Sequence, residues 1–249
     1  MKKILTLIVA IFACMLIQGQ TVDEILSNYF ENIGGKEKLA SIKGLKMTAE
    51  VNQGGMKIPV EMYQMADGRQ MTVISFQGKQ IKQKVFDGKT LWNTNFMTMK
   101  AEKSDAETTA NMKLEMNDFP SSFLNYKEKG YTVELLGKET TDGTETFKIK
   151  LTKEPVTVDG KKEHNIEFYF FDSESYVPIA VQSEIKSGQG KGMMSEVTMS
   201  DYDEVDGIYF PFSMTRGIKG NSGQSITITK IELNPQVDDQ EFTFPEEEK

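Results

Sequence analysis

The feature that most constrains this chain is a change of period after residue 44. Leu45, Met47, Ala49 and Val51 alternate with Lys46, Thr48, Glu50 and Asn52. Successive side chains of a strand point to opposite faces, so the segment reads as a half-buried strand. Gly54-Gly55 then turns the chain into 56–65, Asp67-Gly68 into 69–76, Gln77-Gly78 into 79–86, and Asp87-Gly88 into a strand carrying the single tryptophan, Trp92. Glycine accepts the positive φ that a tight turn between twisted strands requires. Five strands joined this way make an up-and-down antiparallel meander. After Gly130 strands return over 131–136, 146–152, 165–172, 179–185, 196–202, 208–216 and 225–233, separated by turns such as Asp142-Gly143, Asp159-Gly160 and Asp206-Gly207. The expected fold is mainly β (α+β): about eleven or twelve strands in one curved antiparallel sheet that forms an incomplete β-barrel.

Helical periodicity interrupts the strands at two places. Val22, Ile25, Leu26, Tyr29, Phe30 and Ile33 recur at three- and four-residue intervals, Thr21 and Glu24 have capping-box spacing, and Gly34-Gly35 stops the run. A short helical piece over 36–42 follows. Residues 103–119 break the strand pattern, carry Ala106, Ala110, Met112, Leu114 and Met116 without a glycine, and end at Pro120, and so read as a second helix. This second helix is expected to continue through 122–129. Both helical insertions are expected to cover the concave face of the sheet. No composition break marks a linker, so 21–249 reads as one domain.

Residues 1–20 read as a signal peptide: Lys2-Lys3, an apolar run from Ile4 to Ile17, then Gln18-Gly19-Gln20. Cleavage there places the protein beyond the inner membrane, in the periplasm. Ile11-Phe12-Ala13-Cys14 loosely resembles a lipobox, but the residues after Cys14 are still apolar where a polar tether would be expected. Cleavage removes the only cysteine, and with it any thiol nucleophile, disulfide or cysteine-ligated metal. Without Lys2 and Lys3, 27 basic residues face 37 acidic ones, a net charge of −10. That balance argues against nucleic acid and anionic membrane surfaces as partners. Arg69 and Arg216 are the only arginines.

The catalytic inventory is thin. His164, the one histidine, sits among charged residues, and no serine has a nucleophile-elbow context. No metal site is expected: zinc would need several His or Cys ligands, and 201–207 misses EF-hand spacing because its fifth position is Val205. No cofactor fingerprint is present. Methionine, in contrast, is abundant, with 15 in the chain and nine between Met47 and Met116. Its unbranched, polarizable side chain suits a surface that adapts to flexible apolar ligands, and also ordinary gap-filling in a core. Trp92 is expected to face the apolar interior, partly core and partly lining, on one surface with Met97 and the other methionines.

Several phrases carry a resemblance. "ILSNYFENIGGKEKLASIKGLKMTAEV" (25–51), "VFDGKTLWN" (85–93), "GYTVELLGKETTDGTETFKIKLT" (130–152), "YFFDSESYVPI" (169–179), "DYDEVDGIYFPF" (201–212) and "NPQVDDQEFTFP" (234–245) together resemble the LolA-like outer-membrane lipoprotein-sorting proteins, in the form common among Bacteroidetes-type bacteria. The resemblance implies an incomplete β-barrel whose concave apolar face is covered by helices. It also implies a non-enzymatic periplasmic carrier that shields lipoprotein acyl chains between an inner-membrane exporter and an outer-membrane acceptor, working as a monomer. Exposing three acyl chains to water would cost tens of kcal/mol at roughly 0.8 kcal/mol per CH₂. The expected lipid-binding residues are Trp92, Met47, Met62, Met71, Met97, Met112 and Met116. In "QMADGRQMTV" (64–73), Arg69 stands near the place of a family arginine that latches the helical lid, although the lysine and proline that usually precede it are absent. The same architecture also serves envelope-stress sensors that act through a protein partner, which is the alternative function. An enzyme is the third and weakest reading.

Overall fold

The computed structural model describes residues 20–245. The expected signal peptide with Cys14 lies outside the described residues apart from Gln20, as does the tail 246–249. Helix α1 (Val22–Asn32) begins with the expected capping box: Thr21 accepts from the Glu24 amide, and the Glu24 carboxylate accepts from Thr21. It buries Ile25, Leu26 and Phe30. Gly34 ends it at φ 109°, where an added Cβ would stand 2.0 Å from the Gly207 carbonyl oxygen. Only glycine lets the helix end approach the 206–207 turn this closely. Helix α2 (Lys36–Ala40) follows, and Lys38 donates to the same carbonyl.

Among the described residues, thirteen strands form one antiparallel sheet: β1 (Gly44–Gln53), β2 (Met56–Met65), β3 (Gln70–Phe76), β4 (Lys79–Phe86), β5 (Leu91–Thr94), β6 (Ala101–Lys103), β7 (Thr132–Thr141), β8 (Thr144–Val158), β9 (Lys161–Asp172), β10 (Pro178–Glu184), β11 (Met194–Val205), β12 (Ile208–Ile218) and β13 (Gln224–Leu233). Their spatial order is β6-β5-β4-β3-β2-β1-β13-β12-β11-β10-β9-β8-β7. Two meanders therefore meet at the β1–β13 pair, and the edge strands β6 and β7 are consecutive in sequence. The strand beyond the expected number is β6, whose three residues are too few to show an alternation.

The segment between the edges contains helix α3 (Ala106–Glu115) and a 3-10 turn (Met116–Asp118). Residues 122–129, expected to continue the helix, form turns instead. Phe123, Leu124 and Tyr131 are buried there and hold the chain to the sheet, while the backbone closes a series of short turns, among them Leu124 to Ser121 and Gly130 to Lys127.

Helix α3 shows that the sheet is curled. Its Met112 packs on Phe86 and Leu91 of β4 and β5. Its Asn111 exchanges hydrogen bonds with the backbone of Thr157 in β8, at 2.7 and 2.8 Å, and Glu107 accepts from the Asp159 and Gly160 amides. Strands β5 and β8 are ten steps apart in the sheet order. Laid flat, ten steps span about 48 Å, whereas a ten-residue helix is about 15 Å long. The sheet must wrap so that both sides reach one helix. It is an open barrel, and α3 lies across its mouth.

Candidate functional site

The concave face has two unlike parts. Over β7–β9 it is sealed. Phe147, Ile149, Leu151 and Phe171 are buried under α1 and the 119–131 segment, and Phe123 meets Tyr29, Tyr169 and Phe171 edge-on. Burial pushes the Tyr29 hydroxyl up to about 12 and the Tyr169 hydroxyl well above its usual range.

Over β1, β2 and β11–β13 the same face is apolar, buried at Leu45, Ala49, Ile228 and Ile231 and only partly covered beyond them. Residues paired directly across strands point to the same side, so the register assigns this surface. One cross-strand row runs Met199–Met214–Ile226–Val51–Ile58 through five strands, every member half-buried. A second row, Ile231–Met47–Met62, packs with Phe210, Phe212 and Phe119. Strands β12 and β13 pair only over Ser213–Arg216 and Gln224–Thr227, so the sheet opens beneath Phe210 and Phe212.

Between these parts, under α3 and the 3-10 turn, lies a cavity of about 480 Å³. Its sheet wall carries an ionic cluster. Lys153 of β8, with its side chain 8% exposed, pairs with Asp118 of the covering turn at 2.8 Å and with Glu167 of β9 at 2.7 Å. Tyr131 donates to Asp118 and Tyr169 donates to Glu167. Burial pushes the Lys153 ammonium down, and the Glu167 and Asp118 carboxylates more than offset this, leaving it above its ordinary value. The cluster ties the cover to the sheet.

The expected site residues divide among three places. Met47 and Met62 are cross-strand partners on the half-covered concave surface. Met112 and Met116 sit on the inner side of α3 and its following turn, Met112 buried and Met116 lining the cavity. Met116 closes over Gly68, where a Cβ would meet its Cε at 2.1 Å.

Trp92 and Met71 lie on the opposite face. Leu91 faces α3, so its neighbour Trp92 must point the other way. There Trp92, Met71, Val73 and Val85 form a dry cluster with Phe242. The indole N–H donates to the Phe242 carbonyl at 3.0 Å, and Phe244 packs edge-on against the ring. The expectation that Trp92 and Met71 share the concave surface is therefore corrected: the C-terminal segment 235–245 straps over the outer face of β2–β5 and buries both. Met97 is 94% exposed in the β5–β6 turn and reaches neither surface. Arg69 lines the cavity edge, but its guanidinium pairs with Asp67 and Asp239 and lies over the Phe242 ring. It fastens the strap, where the resemblance implied a latch on the helical lid.

The row through Met199, Met214 and Ile226, and Arg216 beside it, were not among the expected site residues. The alternation of Phe210, Phe212, Met214 and Arg216 was visible in the sequence, but the side it faced depended on pairing. His164 is exposed on β9. Among the described residues, no group of three or more His, Cys, Asp or Glu side chains is placed to hold a metal ion, and no helix is long and apolar enough to cross a membrane.

Comparison with known proteins supports the architecture. A protein-family model described as "Uncharacterized protein" matches residues 123–246. The comparison with curated proteins gave no match. Among solved structures, a protein of the DUF1329 family from Desulfovibrio piger is 14% identical, with 88% of this chain and 97% of that chain covered and a TM-score of 0.52. A LolA superfamily protein from Nitrosomonas europaea is 13% identical, with 90% and 98% covered and a TM-score of 0.52. At these identities the likeness establishes the fold and nothing finer. With thirteen strands in an open, curled sheet spanned by a helix, the chain has the fold of the LolA superfamily.

Proposed function

We propose that this protein is a periplasmic, non-enzymatic carrier that shelters an acyl chain, of a lipoprotein or another lipid, on the concave face beneath α3. The observation that carries the reading is the half-covered row Met199–Met214–Ile226–Val51–Ile58. A sheet interior this apolar is ordinarily sealed by the chain itself, as it is over β7–β9. Here five strands present a continuous apolar surface that stays half-buried. Four strand spacings span about 19 Å, a little more than one leaflet of a hydrocarbon core about 30 Å thick. The surface therefore accommodates one chain along its length. Methionines at four positions of the two cross-strand rows, Met47, Met62, Met199 and Met214, let the wall follow a flexible ligand. A cargo of several chains requires α3 to swing away, because the closed cavity is of small-molecule size.

The test is native mass spectrometry of the protein exported to a bacterial periplasm and purified without detergent. A bound mass that resolves into lipid or lipopeptide supports the carrier. A bare protein mass that persists after incubation with a triacylated lipopeptide rejects it.

A further inference from the structure

We propose that Arg216 binds the anionic head of the amphiphile whose chain lies along the concave row. The proposal rests on the lipid-binding reading above and adds the class of cargo: a single apolar chain ending in a carboxylate or phosphate oxyanion.

Four cations line the cavity: Arg69, Lys84, Lys153 and Arg216. Three are neutralised within the fold. Arg69 pairs with Asp67 and Asp239, Lys84 with Glu115, and Lys153 with Asp118 and Glu167. Arg216 has no carboxylate within ion-pair distance among the described residues, and none of its guanidinium N–H groups has a protein acceptor there. The cavity's remaining unpaired carboxylate, Glu154, belongs to β8, four strands away in the sheet order.

The position of Arg216 suits a head group. It stands two residues from Met214 on β12, hence on the same face and about 7 Å along the strand. It also lies in the cross-strand row Ile149–Tyr169–Val181–Val197–Arg216–Gln224. So it lies beside the Met199–Met214 end of the apolar row, and a chain bound along that row and running toward Ile58 would start at this guanidinium. The guanidinium is solvent-accessible, so an anion meets it without the desolvation that a buried charge demands. Its fork of N–H donors matches a carboxylate or phosphate in two parallel hydrogen bonds, which a lysine cannot supply.

The experiment compares three ligands of equal chain length by calorimetry, each below its aggregation concentration: decanoate, decyl phosphate and decanol. Wild-type protein should bind the two anions about tenfold more tightly than the alcohol, the effect of a charge-assisted hydrogen-bond pair. Arg216→Gln should bring both anions down to the level of decanol, and Arg216→Lys should leave part of the difference. The two anion arms then show which head is preferred. Equal binding of all three ligands by wild type leaves the lipid site standing and overturns the head site. An anion preference that survives in Arg216→Gln overturns it as well. Inorganic phosphate binding as tightly as decyl phosphate would make this a free-anion site and reject the amphiphile. Failure of all three ligands to bind rejects the lipid-binding reading together with this one.

Discussion

The β3–β5 region of the sheet is covered twice, once on each face, and the two covers are built differently. On the outer face the strap 235–245 excludes water. Trp92, Met71, Val73, Val85 and Phe242 are all buried, and the indole and Arg69 are satisfied by the strap itself. On the inner face α3 buries only Met112, and its far side is tied by polar contacts to the β8–β9 turn. Beneath its end lies the cavity, with Lys153 and two carboxylates. Both covers cross the same strands, but one is part of the core and the other spans a space. Local stability follows buried apolar contact, so the strap should open only with global unfolding and α3 well before it.

The largest effects should come from the strap. Phe242→Ala removes a fully buried ring and is expected to cost about 3–5 kcal/mol in urea unfolding. Trp92 should fluoresce as a buried indole, and its emission should be unchanged by an acyl ligand, because the ligand would lie on the other face. A ligand-dependent shift of that emission would break the comparison. Next in size is Lys153→Met, expected to cost about 3 kcal/mol because it leaves Asp118 and Glu167 facing each other without their cation. Adding Asp118→Asn and Glu167→Gln should recover much of the loss. If the triple variant is no more stable than the single one, then the lysine stabilises by packing and the cluster is not what ties the cover down.

Much of the fold was legible because its signals are local. Asp87-Gly88, Asp142-Gly143, Asp159-Gly160 and Asp206-Gly207 each name a turn, and the alternation of Leu45 to Val51 names a strand. The faces were harder. Strand β5 has four residues, too few for an alternation, and the β3–β4 register breaks between Gln70 and Thr72. Lys84 adopts φ 51° just before Val85 and Phe86. A one-residue slip exchanges the two faces, and Trp92 went with it. Nothing near Trp92 in sequence announces its partner, since Phe242 is 150 residues away. The methionine count pointed to an adaptable surface, but only pairing across strands separates Met47 and Met62 from Met71 behind them and Met97 in its turn.

A smaller effect should follow from Met112→Ala. It removes the one buried side chain of α3, and about 2 kcal/mol of that cost should appear as faster amide exchange confined to α3. Equal acceleration in the strap would show that the two covers open together, and the contrast between them would be lost.

The smallest effect tests how α3 is held at its start. Asp105 caps the helix, accepting from the Thr108 amide at 2.7 Å and from the Thr108 hydroxyl at 3.0 Å. These hydrogen bonds, the amide's first, hold its carboxyl below the ordinary aspartate value. A carboxylate with a depressed folded-state pKa stabilises fully above the unfolded value, near 3.9. That contribution is lost as pH falls through the folded value. Amide protection of α3 should therefore be level from neutral pH down to about 4 and decline below it, while Asp105→Asn, which keeps an acceptor but cannot titrate, should remove that part of the decline. The strap offers a control in an Asp239→Asn/Glu241→Gln background, which takes away the carboxylates paired with Arg69 and Lys82 and leaves the Trp92–Phe242 hydrogen bond that no proton breaks. Loss of protection in both covers at the same pH would point to acid unfolding of the whole sheet. Loss in α3 alone would show that the inner cover is released by itself, as a carrier that must open to take its cargo requires.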